Sequence, residues 1–278
     1  MQRQHGSAAA GAQGVIIVSY FTDHSHVSRS MLALLRESPR KYEARYITGT
    51  MPPEPPSEAM QVGTAIHAEV LCGVSVVRTC PQEYLAKNGA MSTAAARQWR
   101  EEAVAAGYAV LSREAGEKIA PTVASVLRRL KTLGNPHEAP GVVIEREIYW
   151  KHASGVQCKA KPDLITPGAV IDLKTISELS PRKVEAAIAD HGYWLQVAHY
   201  TEAAKQLGFR PQKFIFLFAE TQAPWRCWMR ELDAEYLDWA FVERERLLDD
   251  LARRMAENDW ADPGENELVA VKKPRYME

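Results

Sequence analysis

Two aspartates and a lysine stand close together near the middle of the chain, in Lys161-Pro-Asp-Leu-Ile-Thr-Pro-Gly-Ala-Val-Ile-Asp-Leu-Lys-Thr175. Thr166-Pro167-Gly168 is turn chemistry, and Ala169 to Leu173 is an apolar run broken only by Asp172. The segment therefore predicts a buried strand entered from a turn. Alternation along a strand turns Asp172 and Lys174 to one face and Leu173 to the other. An acid and an ammonium on an apolar strand are costly unless a metal, a charge partner or a cleft receives them. With Asp163 across the turn, a hard cation held by oxygen ligands accounts for the set economically. The ordinary alternative is a surface aspartate beside a simple ion pair.

Four further groups can join such a centre. Glu145 and Glu147 lie two apart on the preceding predicted strand, so they share a face, and either can add an oxygen ligand; a solvated face with Lys159 nearby is the competing reading. His67 ends Gly63-Thr-Ala-Ile-His on a predicted helix, where small Gly63 and Ala65 permit the helix to approach a sheet closely. Gln196 and Tyr200, four apart, share one helix face and can reach a phosphate or an ordered water. A basic, aromatic stretch holds Arg29, Arg36, Arg40, Lys41 and Arg45 with Tyr42 and Tyr46, and Lys159 and Lys161 alternate on the strand leading into Asp163. Arg40, Lys159 and Lys161 are the expected phosphate contacts.

The elements that must position these groups follow from spacing and punctuation. Ser28 or Ser30 caps a helix through Leu35 that stops near Ser38-Pro39, and Pro52 to Pro56 form a stiff loop. A second helix starts near Ser57 and carries His67. An Ala-rich helix over 92–106 ends at Gly107, and a helical stretch from Ser112 is interrupted or restarted at Pro121. Val142 to Trp150 reads as one strand with a hairpin partner at Gly155 to Lys161. The strand of Asp172 is followed by a segment over 181–189, a helix from Tyr193 to Leu207, an apolar strand Lys213 to Ala219, a further strand near 225–232 and a long helix over 233–257. That order describes an α/β or α+β core with a mixed sheet and no internal repeat.

Composition sets the limits. A chain of 278 residues with 46% hydrophobic content supports a substantial core, and a formal charge of −1 leaves no global basic field. A nucleic-acid partner must therefore be held by a local patch. No apolar run approaches the roughly 20 residues of a membrane span, and the small polar residues 1–14 lack the apolar segment of a secretory signal. Cys72, Cys80, Cys158 and Cys227 are scattered without a CxxC pair, as expected of reduced thiols in the cytoplasm.

Taken together, Ser28-Arg-Ser-Met-Leu, Ser38-Pro39, Gly63-Thr-Ala-Ile-His67, Ala96-Arg-Gln-Trp-Arg100, Gly155-Val-Gln-Cys-Lys-Ala-Lys-Pro-Asp163, Ile171-Asp-Leu-Lys-Thr175 and Gly192-Tyr193 through Gln196-Val-Ala-His-Tyr200 form an ordered set. Over about residues 26 to 220 it resembles the PD-(D/E)xK nuclease domain of the RecE, or exonuclease VIII, type found in phages and prophages. The resemblance implies a restriction-endonuclease-like α/β core, with a mixed central sheet flanked by helices and an N-terminal helical extension. It implies a single nuclease domain over 26–260, after a poorly ordered stretch 1–25 and before a C-terminal tail 261–278. His67, Asp163, Asp172, Lys174, Gln196 and Tyr200 carry over as site residues. Asp163, Asp172 and the backbone carbonyl of Leu173 then hold Mg²⁺ (or Mn²⁺), with His67 as an added ligand and Glu145 or Glu147 as a further one. The activity implied is hydrolysis of linear double-stranded DNA from the 5′ end in a bacterial host cytoplasm. A homo-oligomeric ring and a single-strand annealing protein are the implied partners.

Two departures stand out: Asp172 replaces the Glu of many relatives, and Lys161 replaces the Arg common before Pro-Asp, keeping charge but losing a bidentate fork. The alternatives are a catalytically silent DNA-binding protein that keeps the fold, or a RecB-like nuclease of another polarity. A RecB-like nuclease with an iron–sulfur cluster fits poorly, because only Cys227 lies beyond the acid–lysine strand.

Overall fold

The structure, a computed structural model, describes residues 20–268, 270, 272 and 273. The poor order expected over residues 1–19, and residues 269, 271 and 274–278 of the expected tail, fall outside the described residues. Tyr20 and Val27 are both buried.

Polar caps set most helix starts, where a hydroxyl or carboxylate satisfies an otherwise orphaned N–H. Ser28 accepts from Met31 N at the start of α1 (Arg29–Glu37), which ends ahead of Pro39. Helix α2 (Pro39–Tyr42) runs directly into a π-helical turn, Glu43–Ile47. Ser57 caps α3 (Glu58–Cys72), and Gly73 closes it in the left-handed conformation that glycine adopts without strain. Strand β1 (Val77–Thr79), helix α4 (Ala94–Ala105), strand β2 (Ala109–Leu111), helix α5 (Arg113–Glu117) and helix α6 (Ile119–Thr132) follow. Pro121 falls within the first turn of α6, where no intrahelical N–H is lost, so it restarts the helix rather than breaking it.

The sheet-forming part comprises β3 (Val143–Ile144), β4 (Ile148–Lys151), β5 (Gln157–Ala160), β6 (Leu164–Ile165), β7 (Ala169–Ile176), β8 (Lys213–Glu220) and β9 (Cys227–Arg230). Helices α7 (Pro181–Asp190) and α8 (Tyr193–Gln206) connect β7 to β8, and α9 (Ala234–Glu257) closes the domain. The central sheet has the order β3-β6-β7-β8-β9, with β7 and β8 parallel and the other pairs antiparallel. Strands β4 and β5 form a separate hairpin, and β1 pairs with β2 in parallel.

Alternation along β7 and β8 feeds two cores. Val170, Phe216 and Phe218 pack with α1, α8 and α9 on one face; Ile171, Leu173, Leu217 and Ala219 pack with α3 and α6 on the other. The single strand expected over 142–150 is instead two, because Glu145 takes a positive φ of 43° that ends β3 and sends the chain into a different hairpin.

Candidate active site

Asp172 and Lys174 share one face of β7, as alternation requires, and the Lys174 ammonium lies directly against Asp172 Oδ2. Asp172 is fully buried. Its other oxygen, Oδ1, accepts from Gln196 Nε2 on α8 at 2.5 Å, while Oδ2 meets the Lys174 ammonium alone among the described residues. Lys174 Nζ is also stacked 4.7 Å from the ring centroid of Tyr193, one helical turn before Gln196. Helix α8 thus holds both ends of the strand's acid–lysine pair.

Asp163 enters from the turn before β6. Its Oδ2 accepts from the backbone N–H of Leu173 at 2.7 Å and lies 3.3 Å from His67 Nδ1. That backbone bond ties the two aspartates to one strand. His67 reaches the site from α3, on the opposite side of the sheet from α8. The approach is close because Gly63 carries no side chain there: a Cβ would meet Thr175 Oγ1 of β7 at 3.1 Å. Ligand atoms of His67, Glu145 and Asp163 all lie within 4.8 Å of one another. Positive φ at Glu145, a conformation a non-glycine residue adopts at a cost, turns its carboxylate into this cluster. Lys161 Nζ sits 3.4 Å from Glu145 Oε2.

The electrostatics follow from crowding. Burial pushes the Asp172 carboxyl up to about 6; the charge of Asp163 adds to the rise and the Lys174 ammonium works against it. Burial acts on Asp163 in the same sense, but His67, Lys174 and the Leu173 N–H outweigh it and hold its carboxyl below the usual range. Burial opposes protonation of His67, and Asp163 reverses the balance and raises it. Burial also raises the Tyr200 phenol, with the charge of Asp172 assisting. Tyr200 lines a cavity of about 260 Å³ with Ser28, Arg29 and Ser30.

A divalent cation fits these residues. One imidazole and two carboxylates converge, and beside them stands a buried carboxylate oxygen whose contact among the described residues is the Lys174 ammonium alone. A hard cation with oxygen ligands resolves that like-charge crowding more completely than one ammonium.

Several expectations change. Glu147 does not join the cluster; it accepts from the Tyr149 hydroxyl at 3.0 Å, because the break at Glu145 separates the pair. Lys159 is 3% exposed, and its ammonium is bound to the backbone carbonyls of Tyr20 and Asp23, so its charge is withdrawn from any phosphate. Arg40 is clamped to Glu265 at 2.9 Å and Glu43 at 3.2 Å, and its own N–H donates to Asp262, which makes it a fastener for the C-terminal strap. Sequence reasoning missed Tyr193 and the partner role of Arg29, whose Nη2 lies 3.5 Å from Gln196 Oε1. Tyr193 was findable, since three residues before Gln196 is the same helix face.

Residues 28–270 match the family model of a PDDEXK-like domain of unknown function, DUF3799. The chain belongs to that family. The PD-(D/E)xK expectation for the fold is thereby met. A crystal structure from Eubacterium rectale, provisionally described as an exonuclease, superposes with a TM-score of 0.56 at 14% identity, covering 97% of this chain and 96% of that one. It supports the shared architecture alone. An alkaline exonuclease from Laribacter hongkongensis aligns at 14% identity over 70% of this chain and 98% of its own, with a TM-score of 0.26 that carries no argument. No curated protein matches the sequence.

Proposed function

We propose that this DUF3799 protein is a metal-dependent nuclease hydrolysing phosphodiester bonds of linear double-stranded DNA, acting as a 5′-to-3′ exonuclease in phage or prophage recombination. One observation carries the reading: Asp163, His67 and Glu145 converge beside a fully buried Asp172 whose Oδ2 meets only the Lys174 ammonium among the described residues. The family assignment and the exonuclease description of the Eubacterium rectale neighbour agree with it.

Asp163, Asp172, Glu145, His67 and the Leu173 carbonyl are the groups that would hold Mg²⁺ or Mn²⁺. When bound, such an ion lowers the pKa of water and neutralises charge building on the scissile phosphate. The protein's own contribution is preorganisation. Gln196 fixes Asp172 through Oδ1, and the Leu173 N–H fixes Asp163, so neither carboxylate must reorient as substrate arrives. Lys174, steadied on the Tyr193 ring, places a positive charge where the phosphate oxygens gain negative charge. Tyr200 and Lys161, at the rim of the same centre, position the backbone.

The test is digestion of linear duplexes labelled at the 5′ or the 3′ end, beside a closed circle, in Mg²⁺ and in EDTA. The expected result is loss of linear DNA from the 5′ end in Mg²⁺ only, with the circle intact. DNA bound but uncut with Mg²⁺ or Mn²⁺ would establish the silent binding protein instead. Loss from the 3′ end would establish the RecB-like alternative. A ring assembly and an annealing partner belong to the same proposal, and the mass of the native assembly in solution tests the first.

A further inference from the structure

Two neighbouring cavities share Arg29, Ser30 and Tyr46. The smaller, of about 260 Å³, is the one Tyr200 lines; the larger, of about 610 Å³, runs between α1, the π-helical turn and the Gly192 corner that opens α8. Three arginines line this combined groove, Arg29, Arg36 and Arg45, and two of them matter here. Arg29 spans the rim of the catalytic centre, donating to His191 O at 2.9 Å while its Nη2 lies beside Gln196, which in turn binds Asp172. Arg45 stands on the π-helical turn, the kind of local irregularity that re-aims a side chain at functional sites. Its Nε is buried with no hydrogen-bond partner among the described residues, and its contact is with the Tyr46 phenol.

These two cations differ from Arg36, which lines the same groove but is paired with Glu243 at 3.2 Å, and from Arg40, paired with Glu265 at 2.9 Å. Among the described residues neither Arg29 nor Arg45 has a carboxylate partner. The groove also carries Glu37, engaged by Lys41, and Asp190, so its charge is not uniformly positive. Planar guanidiniums with free donors suit phosphate oxygens, and the Tyr46 ring that lines the same groove suits an unpaired base.

We propose that this groove holds the unpaired end of the DNA strand being cut, with Arg29 and Arg45 each taking one backbone phosphate adjacent to the scissile bond. The assignment rests on the nuclease reading above. It moves the phosphate contacts from Arg40 and Lys159, which the fold has consumed, to two arginines that it leaves open.

The experiment is fluorescence anisotropy of the full chain with a labelled single-stranded oligonucleotide in EDTA across a salt series. Each of Arg29→Gln and Arg45→Gln is expected to weaken binding and to flatten the log–log salt slope by about one, and the double variant by about two. Arg36→Gln is expected to keep the wild-type slope. Arg29→Lys and Arg45→Lys keep the charge and are expected to keep most of the slope, which separates phosphate contact from damage to the fold. A double Gln variant with the wild-type slope, or Lys variants as flat as the Gln ones, overturns the groove assignment while leaving DNA digestion by the wild type untouched. A wild type that neither binds nor cuts DNA sinks the nuclease reading beneath it.

Discussion

Asp172 on β7 and Glu220 on the adjacent β8 are both buried carboxylates, 0% and 2% exposed, and they titrate in opposite directions. Glu220 is saturated: its oxygens accept from the Leu179 N–H, the Arg226 N–H and the Arg226 guanidinium, and those bonds hold its carboxyl down to about 2. Asp172 has one strong donor, Gln196, a crowded ammonium and a second acid nearby, and burial leaves its carboxyl at about 6. The difference teaches that burial of a charge does not by itself mark function. A fully partnered buried acid is a structural joint, whereas a partly partnered one beside a like charge is a place kept for something else.

Replacing each acid by its amide is the strongest way to break that comparison. Asp172→Asn is expected to lower the rate of DNA digestion by about 10² to 10³-fold, the scale of losing one electrostatic group in an active site. Its melting temperature should hold or rise, since a crowded charge is removed; a variant that cuts at the wild-type rate defeats the site assignment. Next in size is the contrast within Glu145 and Glu147. Glu145→Gln should raise the Mg²⁺ concentration for half-maximal digestion by about tenfold or more, on the scale seen when a metal's supporting groups are lost. Glu147→Gln should leave it unchanged.

Glu220→Gln reverses the Asp172 pattern. Stability in urea should fall by about 1–2 kcal/mol, toward the low side for charged hydrogen bonds because Arg226 faces solvent, with digestion close to wild type. The smallest effect, read over a single pH unit, concerns His199. Burial holds its imidazole down to about 3, the nearby Arg244 adding to the shift. The unfolded chain therefore takes up a proton that the folded chain refuses. This contribution is complete above about pH 6.5 and is lost as pH falls from there toward 3, by about 1.4 kcal/mol per unit. Denaturant melts of His199→Gln should show a shallower loss of stability between those limits, and an unaltered slope would count against a neutral buried imidazole.

Much of the centre was legible because its geometry is local. The turn between Asp163 and Asp172, the alternation that pairs Asp172 with Lys174, and the helical spacing of Gln196 and Tyr200 each need only neighbouring residues. Helix starts were legible for the same reason, Ser28 and Ser57 being caps that act within one turn. Glu145 was not, since its positive φ breaks a stretch whose composition reads as continuous strand. Nor was the fate of the basic residues. Lys159 and Arg40 look like open cations in the sequence, but segments that meet them only after folding, Tyr20 to Asp23 and Asp262 to Glu265, neutralise them.

By itself the sequence determined the acid–acid–lysine arrangement, the order of helices and strands, and a face of α8 aimed at that arrangement, because strand and helix periods are properties of the backbone. The tertiary structure alone decided that α3 approaches across Gly63 to bring His67 to Asp163, that Glu145 rather than Glu147 faces the cluster, and which cations stay open to a phosphate. Those outcomes depend on which distant chain segments come into contact, and contact between segments far apart in sequence leaves no period to read.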